Sequence, residues 1–147
     1  MGKFTIILFL LALASCSSDR NAAHNSTLLS HSIIIGQGGG FTGRGQGYFI
    51  DSTGTVSSYE GLGIPDTGMK VKGRLSDDQI TEINRIIPEV LQTQSGGKGN
   101  MTSYLVLKKG EKETGFTWSG ITPGNSVPSQ LRDLYGKLNN MIHSLNK

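Results

Sequence analysis

Apolar positions along the chain follow two patterns: short alternating or β-branched runs, and longer stripes at helical spacing. Ile33-Ile34-Ile35, entered at His31, reads as a buried strand. Tyr48-Phe49-Ile50 reads as a second, closed by Asp51-Ser52-Thr53-Gly54, a turn whose left-handed position is filled by glycine. Thr55 to Tyr59 is a third strand, antiparallel to the second. Glu60 to Arg74 contains four glycines and Pro65, and reads as a loop with room for a short strand at Met69 to Lys72.

Ser76-Asp77-Asp78-Gln79 is a capping box, in which the Ser76 side chain accepts from the Gln79 amide and the Gln79 side chain reaches back. The two acids suit the positive end of the helix dipole. Ile80, Ile83, Ile86-Ile87 and Val90-Leu91 continue one apolar stripe. Pro88 interrupts it, so this helix either kinks there or stops near Ile86. Tyr104 to Leu107 and Thr114 to Trp118 alternate as a hairpin, with Thr114, Phe116 and Trp118 on one face. Ser126 and Pro128 mark the start of a last helix, whose stripe runs through Leu131, Leu134, Leu138, Met141 and Leu145. The sum predicts an α+β domain: an antiparallel sheet of four to five strands with two helices packed on one face, in the order βββαββα.

The first thirty residues follow a different logic. Lys3 precedes an apolar run from Phe4 to Ala14, and Ser15-Cys16 follows. A basic start, a short apolar core and small residues before a cleavage point make a secretory signal. As a helix the run is about 16 Å long, too short for a hydrocarbon core of roughly 30 Å. Leu13-Ala14-Ser15-Cys16 resembles the bacterial lipobox, which implies cleavage before a lipidated Cys16. Ordinary cleavage after Ala14 is the alternative, and it leaves Cys16 as a lone thiol in an oxidising compartment. Cys16 is the sole cysteine, and lipidation explains both its presence and the lack of others. Similar lipoproteins kept at the inner membrane carry Asp where Ser17 stands, so the resemblance implies the outer membrane rather than the inner one. Residues 1–15 are thus expected to be signal, 16–30 the lipidated cysteine and a Ser/Asn/Ala-rich tether, and 31–147 one domain.

Composition narrows the partner classes. The formal net charge is +3, lowered by one when Lys3 leaves with the signal, and the basic residues are scattered; this argues against nucleic acid. The three histidines, His24, His31 and His143, have no i+4 partner, so no metal site is expected. Gly38-Gly39-Gly40-Phe41-Thr42-Gly43 satisfies G-x-G-x-x-G, but a strand follows where a dinucleotide site needs a helix. No nucleotide or other cofactor is implied. A hydrolase would have to assemble from residues such as Asp51, Asp66 and His143, with no nucleophile elbow to anchor it.

The 21 glycines are the anomaly, and seven of them fall between Gly36 and Gly47. Read as a twelve-residue connection, this segment is long for a compact domain, and such loops are often functional. Phe41 sits at its centre, either as a projecting anchor or folded back onto the sheet. Ile35 to Gly43 with Tyr48, the helix capped at Ser76, the hairpin ending in Trp118 and the Pro128-led helix resemble small bacterial envelope lipoproteins. The same order is similar to emfourin, an inhibitor of thermolysin-like metallopeptidases that opens with a strand and a Gly-Gly-Phe-x-Gly turn. Gly39, Gly40, Phe41 and Gly43 match that turn; the further glycines up to Gly47 and the long Glu60–Arg74 segment depart from it. With the glycine-rich loop, the resemblance implies a non-enzymatic, membrane-anchored protein that binds a partner, a secreted or envelope peptidase, through the Gly36–Gly47 loop, at Gly39, Gly40, Phe41, Thr42, Gly43 and Arg44. A purely structural lipoprotein, its glycines serving packing, is the other expectation, and a small hydrolase the third.

Overall fold

The computed structural model describes residues 27–39, 44–62, 68–94 and 101–145. The elements are β1 (Ser32–Gly39), β2 (Arg44–Ile50), β3 (Thr55–Leu62), β4 (Lys70–Arg74), α1 (Asp77–Val90), β5 (Met101–Lys109), β6 (Lys112–Ser119) and α2 (Ser129–Ser144). The strands form one antiparallel sheet in the order β4-β3-β2-β1-β5-β6. β1 to β4 run as a meander, and β5, which follows α1 in the chain, pairs along the free side of β1.

The fold is the expected α+β class, with six strands rather than four to five and the order ββββαββα. The sixth strand is β4, at the sheet edge, where the sequence left room for a short strand at Met69 to Lys72. Its face pattern is nearly all exposed, with Val71 at 70%. A strand with one neighbour and no buried face carries no apolar alternation, and the lysines that flank Val71 are the charges that keep an edge from pairing with other chains. It is held through its ladder to β3, where a bulge lies at Val56/Ser57.

Gly36 to Gly47 also departs from the expected loop. The segment is not a twelve-residue loop: β1 continues to Gly39 and β2 begins at Arg44, in register through Gly38↔Gly45. Side chains that alternate along a strand reveal its faces, and glycine, lacking one, hides them.

Partners across an antiparallel ladder share a face. The rows Leu107–Ile33–Ile50–Val56 and Phe116–Leu105–Ile35 therefore point one way. They join Ile80, Ile83, Ile87 and Val90 of α1 and Leu131, Leu134, Leu138 and Ile142 of α2 in a single core. Both capping-box bonds form on α1, Ser76 N to Gln79 Oε1 at 2.8 Å and Gln79 N to Ser76 Oγ at 3.3 Å. Pro88 neither stops this helix at Ile86 nor prevents a last turn, because only one further turn follows and Leu91 N still donates to Ile87 O. Packing begins already at Leu28–Ser30, within the segment assigned to the tether. Asn84 of α1 donates to Leu28 O and accepts from Ser30 N, and Leu29 is buried in the core.

Candidate functional site

The far side of the sheet explains the glycines. Tyr59, Gly47, Gly36 and Tyr104 form one cross-strand row over β3, β2, β1 and β5. The two rings lean inward over the glycines until their hydroxyls meet at 2.7 Å. A Cβ on Gly36 would lie 2.5 Å from the Tyr59 hydroxyl and 2.9 Å from that of Tyr104. One on Gly47 would lie 2.2 Å from the Ile35 carbonyl and 2.7 Å from the Tyr59 hydroxyl. Burial, and then the bond to Tyr104, push the Tyr59 phenol well above the ordinary tyrosine range, so it stays protonated.

This row stiffens the central strands just before the β1–β2 turn. Ladders flank that turn on both sides to its base: Gly39 pairs with Met101 of β5, and Arg44 with Leu62 of β3. Gly39 has a φ of 110°, which favours glycine, and Arg44 is exposed. Of the expected binding residues, these two are the hairpin's last paired positions. Gly40, Phe41, Thr42 and Gly43 lie outside the described residues, as does Cys16. Gly39, Arg44, Leu62 and Met101, which adjoin residues 40–43, 63–67 and 95–100 in the chain, lie together at this end of the sheet.

On the helix side, a hollow of about 290 Å³ lies at Gln37, Gly38, Arg44, Gly45, Gln46, Glu60 and Ile121. Gln37, Gln46, Glu60 and Ile121 also border a larger open cleft of about 940 Å³. One wall of that cleft is the sheet, with Gln37, Gln46, Tyr48, Glu60, Lys70 and Lys72; the other is α2, with Tyr135, Asn139, Asn140 and His143. Tyr135, Asn139 and His143 stand four residues apart, so they follow one another along the helix.

The rim at Ile121 is fixed from below. Buried Ser103 donates to Gly120 O at 2.6 Å, Tyr135 donates to Ile121 O at 2.9 Å, and the Tyr135 and Trp118 rings meet edge-on at 5.0 Å. Gln37, Ser103 and Trp118 share one cross-strand row beneath this rim. Gln37 Oε1 and Trp118 Nε1 are buried without a hydrogen-bond partner among the described residues. A buried polar atom left unpaired costs about 1–3 kcal/mol, so an acceptor and a donor that both lack partners mark this row as polar capacity not used by the fold.

Of the residues considered for hydrolysis, Asp51 and His143 are not brought together. Asp51 Oδ1 is occupied in the β2–β3 turn, accepting from Thr53 N, Thr53 Oγ1 and Thr55 N. It does not border the cleft that holds His143, and Asp66 lies outside the described residues. Among the described residues, no group of three or more His, Cys, Asp or Glu could hold a metal ion, and no helix is long and apolar enough to cross a membrane. Sequence reasoning missed the cleft. Its signals were the polar i, i+4, i+8 line on α2 and the two glutamines interleaved with glycines.

No protein-family model matches this chain, and no curated protein or solved structure matches it either.

Proposed function

We propose that this chain is a lipid-anchored protein of the bacterial cell envelope, held through Cys16 and more suited by Ser17 to the outer membrane. It has no enzymatic activity and binds a protein partner, a secreted or envelope peptidase, through the end of the β1–β2 hairpin. The observation that supports this reading is the mounting of the turn. Gly39 and Arg44, which bracket residues 40–43 in the chain, are tied to β5 and β3 in the middle of a six-stranded sheet. Binding residues carried on loops over a rigid scaffold lose little conformational freedom on association. In the inhibitor version Phe41 enters an apolar subsite of the peptidase cleft.

One observation favours the structural alternative for part of the segment. Gly36 and Gly47 are required by the tyrosine pair above them, so they need no partner to account for them. That confines the recognition surface to residues 39–44. The test is a titration of soluble residues 17–147 against a thermolysin-like metallopeptidase and a panel of secreted proteases, with Phe41→Ala beside the parent. This segment includes the whole core, which runs from Leu29 to Ile142. Stoichiometric inhibition that Phe41→Ala weakens by about 2 kcal/mol or more, the scale of an interface hot spot, is expected. Absence of inhibition across the panel contradicts the inhibitor role.

A further inference from the structure

The cleft between α2 and strands β1 to β4 has a chemistry of its own, independent of the hairpin reading. Its walls carry four carboxamides, Gln37, Gln46, Asn139 and Asn140, and two tyrosines, Tyr48 and Tyr135. Carboxamides and phenols are neutral and can both donate and accept. Their natural complement is a ligand whose groups do the same, and hydroxyls on a ring fit that description. Tyrosine faces provide flat apolar surface for the C–H side of such a ring. A purely apolar ligand would leave the amides unpaired, at a cost. A polyanion would meet Glu60 with only two lysines to bind it. Those lysines, Lys70 and Lys72, are exposed on the edge strand at one side of the cleft and supply a site for a carboxylate. Beneath the rim, Gln37, which borders the cleft, has its Oε1 buried without a donor among the described residues. The volume, about 940 Å³, is within the usual range for small-ligand sites.

We propose that this cleft binds an acidic oligosaccharide, its rings against Tyr48 and Tyr135, its hydroxyls on Gln37 and Asn139, and its carboxylates toward Lys70 and Lys72. The protein then recognises a glycan on one side of Gln37 and Gln46 and a protein at the hairpin end. The sharing of these two glutamines by the cleft and the hollow at Arg44 places the two sites side by side.

The test is a heteronuclear NMR titration of soluble residues 17–147 with three probes: a hyaluronan tetramer, whose two carboxylates alternate with neutral rings, a neutral tetramer of N-acetylglucosamine, and tetraglutamate. The hyaluronan tetramer is expected to shift the Gln37 and Asn139 side-chain amides. It should bind at least tenfold more tightly than either other probe. A Lys70→Ala/Lys72→Ala variant, altered only at exposed edge positions, should keep the parent thermal midpoint and lose at least tenfold in affinity. Equal or tighter binding of the neutral tetramer, preference for the peptide, or no cleft shift with any probe overturns the proposal. Each result is read without a peptidase, so it stands apart from the outcome at Phe41.

Discussion

The hydroxyl of Tyr59 meets that of Tyr104 at 2.7 Å, across a gap of two strands that only glycine at Gly36 and Gly47 leaves open. The residues are 45 apart in sequence, and each comes from a strand flanking the central pair. A double-mutant cycle should resolve this contact. Tyr59→Phe or Tyr104→Phe alone is expected to cost about 1 kcal/mol, because each leaves the other hydroxyl under-satisfied. The double variant should cost less than the sum, with a coupling of about 0.5 kcal/mol or more, read from urea unfolding. Strict additivity would show that the hydroxyls do not interact.

Glycine positions should divide sharply by what surrounds them. Gly47→Ala brings a Cβ within 2.2 Å of the Ile35 carbonyl, and backbone cannot move aside as a side-chain end can. A loss of about 3 kcal/mol or failure to fold is expected. Gly136→Ala in α2 meets nothing within 4 Å and should instead stabilise by about 0.5–1 kcal/mol through helix propensity. Thermal midpoints of the two variants test the contrast, and equal effects would contradict it.

His31 gives the fold a dependence on mild acid. Partial burial first, then the positive charges of Lys109 and Lys112, hold its pKa below the ordinary 6.5. A group that binds its proton less readily folded than unfolded favours the native state when neutral. Its contribution is therefore present above pH 6.5 and falls away as pH drops toward the lowered folded value. His31→Asn should flatten that part of the curve in denaturant titrations from pH 7.5 to 5. An unchanged slope would assign the acid sensitivity elsewhere.

The anchor is tested apart from the domain. Cys16→Ser should abolish incorporation of labelled palmitate and release the protein from membranes, while the folded core, which begins at Leu29, keeps its thermal midpoint. Membrane retention by the variant would contradict lipidation at this position.

Both helices and the buried strands were legible because their apolar residues carry the period of their element: Ile80, Ile83 and Ile87 on α1, Leu131, Leu134 and Leu138 on α2, Ile33 and Ile35 on β1. The capping box at Ser76 also fixed where α1 begins. β4 was legible only as room for a short strand at Met69 to Lys72, because an exposed edge strand has no apolar face to repeat. The strands hidden in Gly36–Gly47 were obscure for a different reason. Their faces are set by what fills the space a side chain would occupy, and those residues, Tyr59 and Tyr104, are distant in sequence. The cleft has the same difficulty, since its walls come from four strands and the last helix.

The claim on which the rest depends is that Gly36–Gly39 and Arg44–Gly47 are central strand rather than loop. Amide hydrogen exchange across these two segments measures it most directly. The pairing Gly36↔Gly47 and Gly38↔Gly45, with β5 and β3 on either side, predicts protection close to that of the core residues Ile33 to Ile35. Exchange at the rate of an open chain would contradict the rigid mounting of the turn, and with it the support for recognition at the hairpin end.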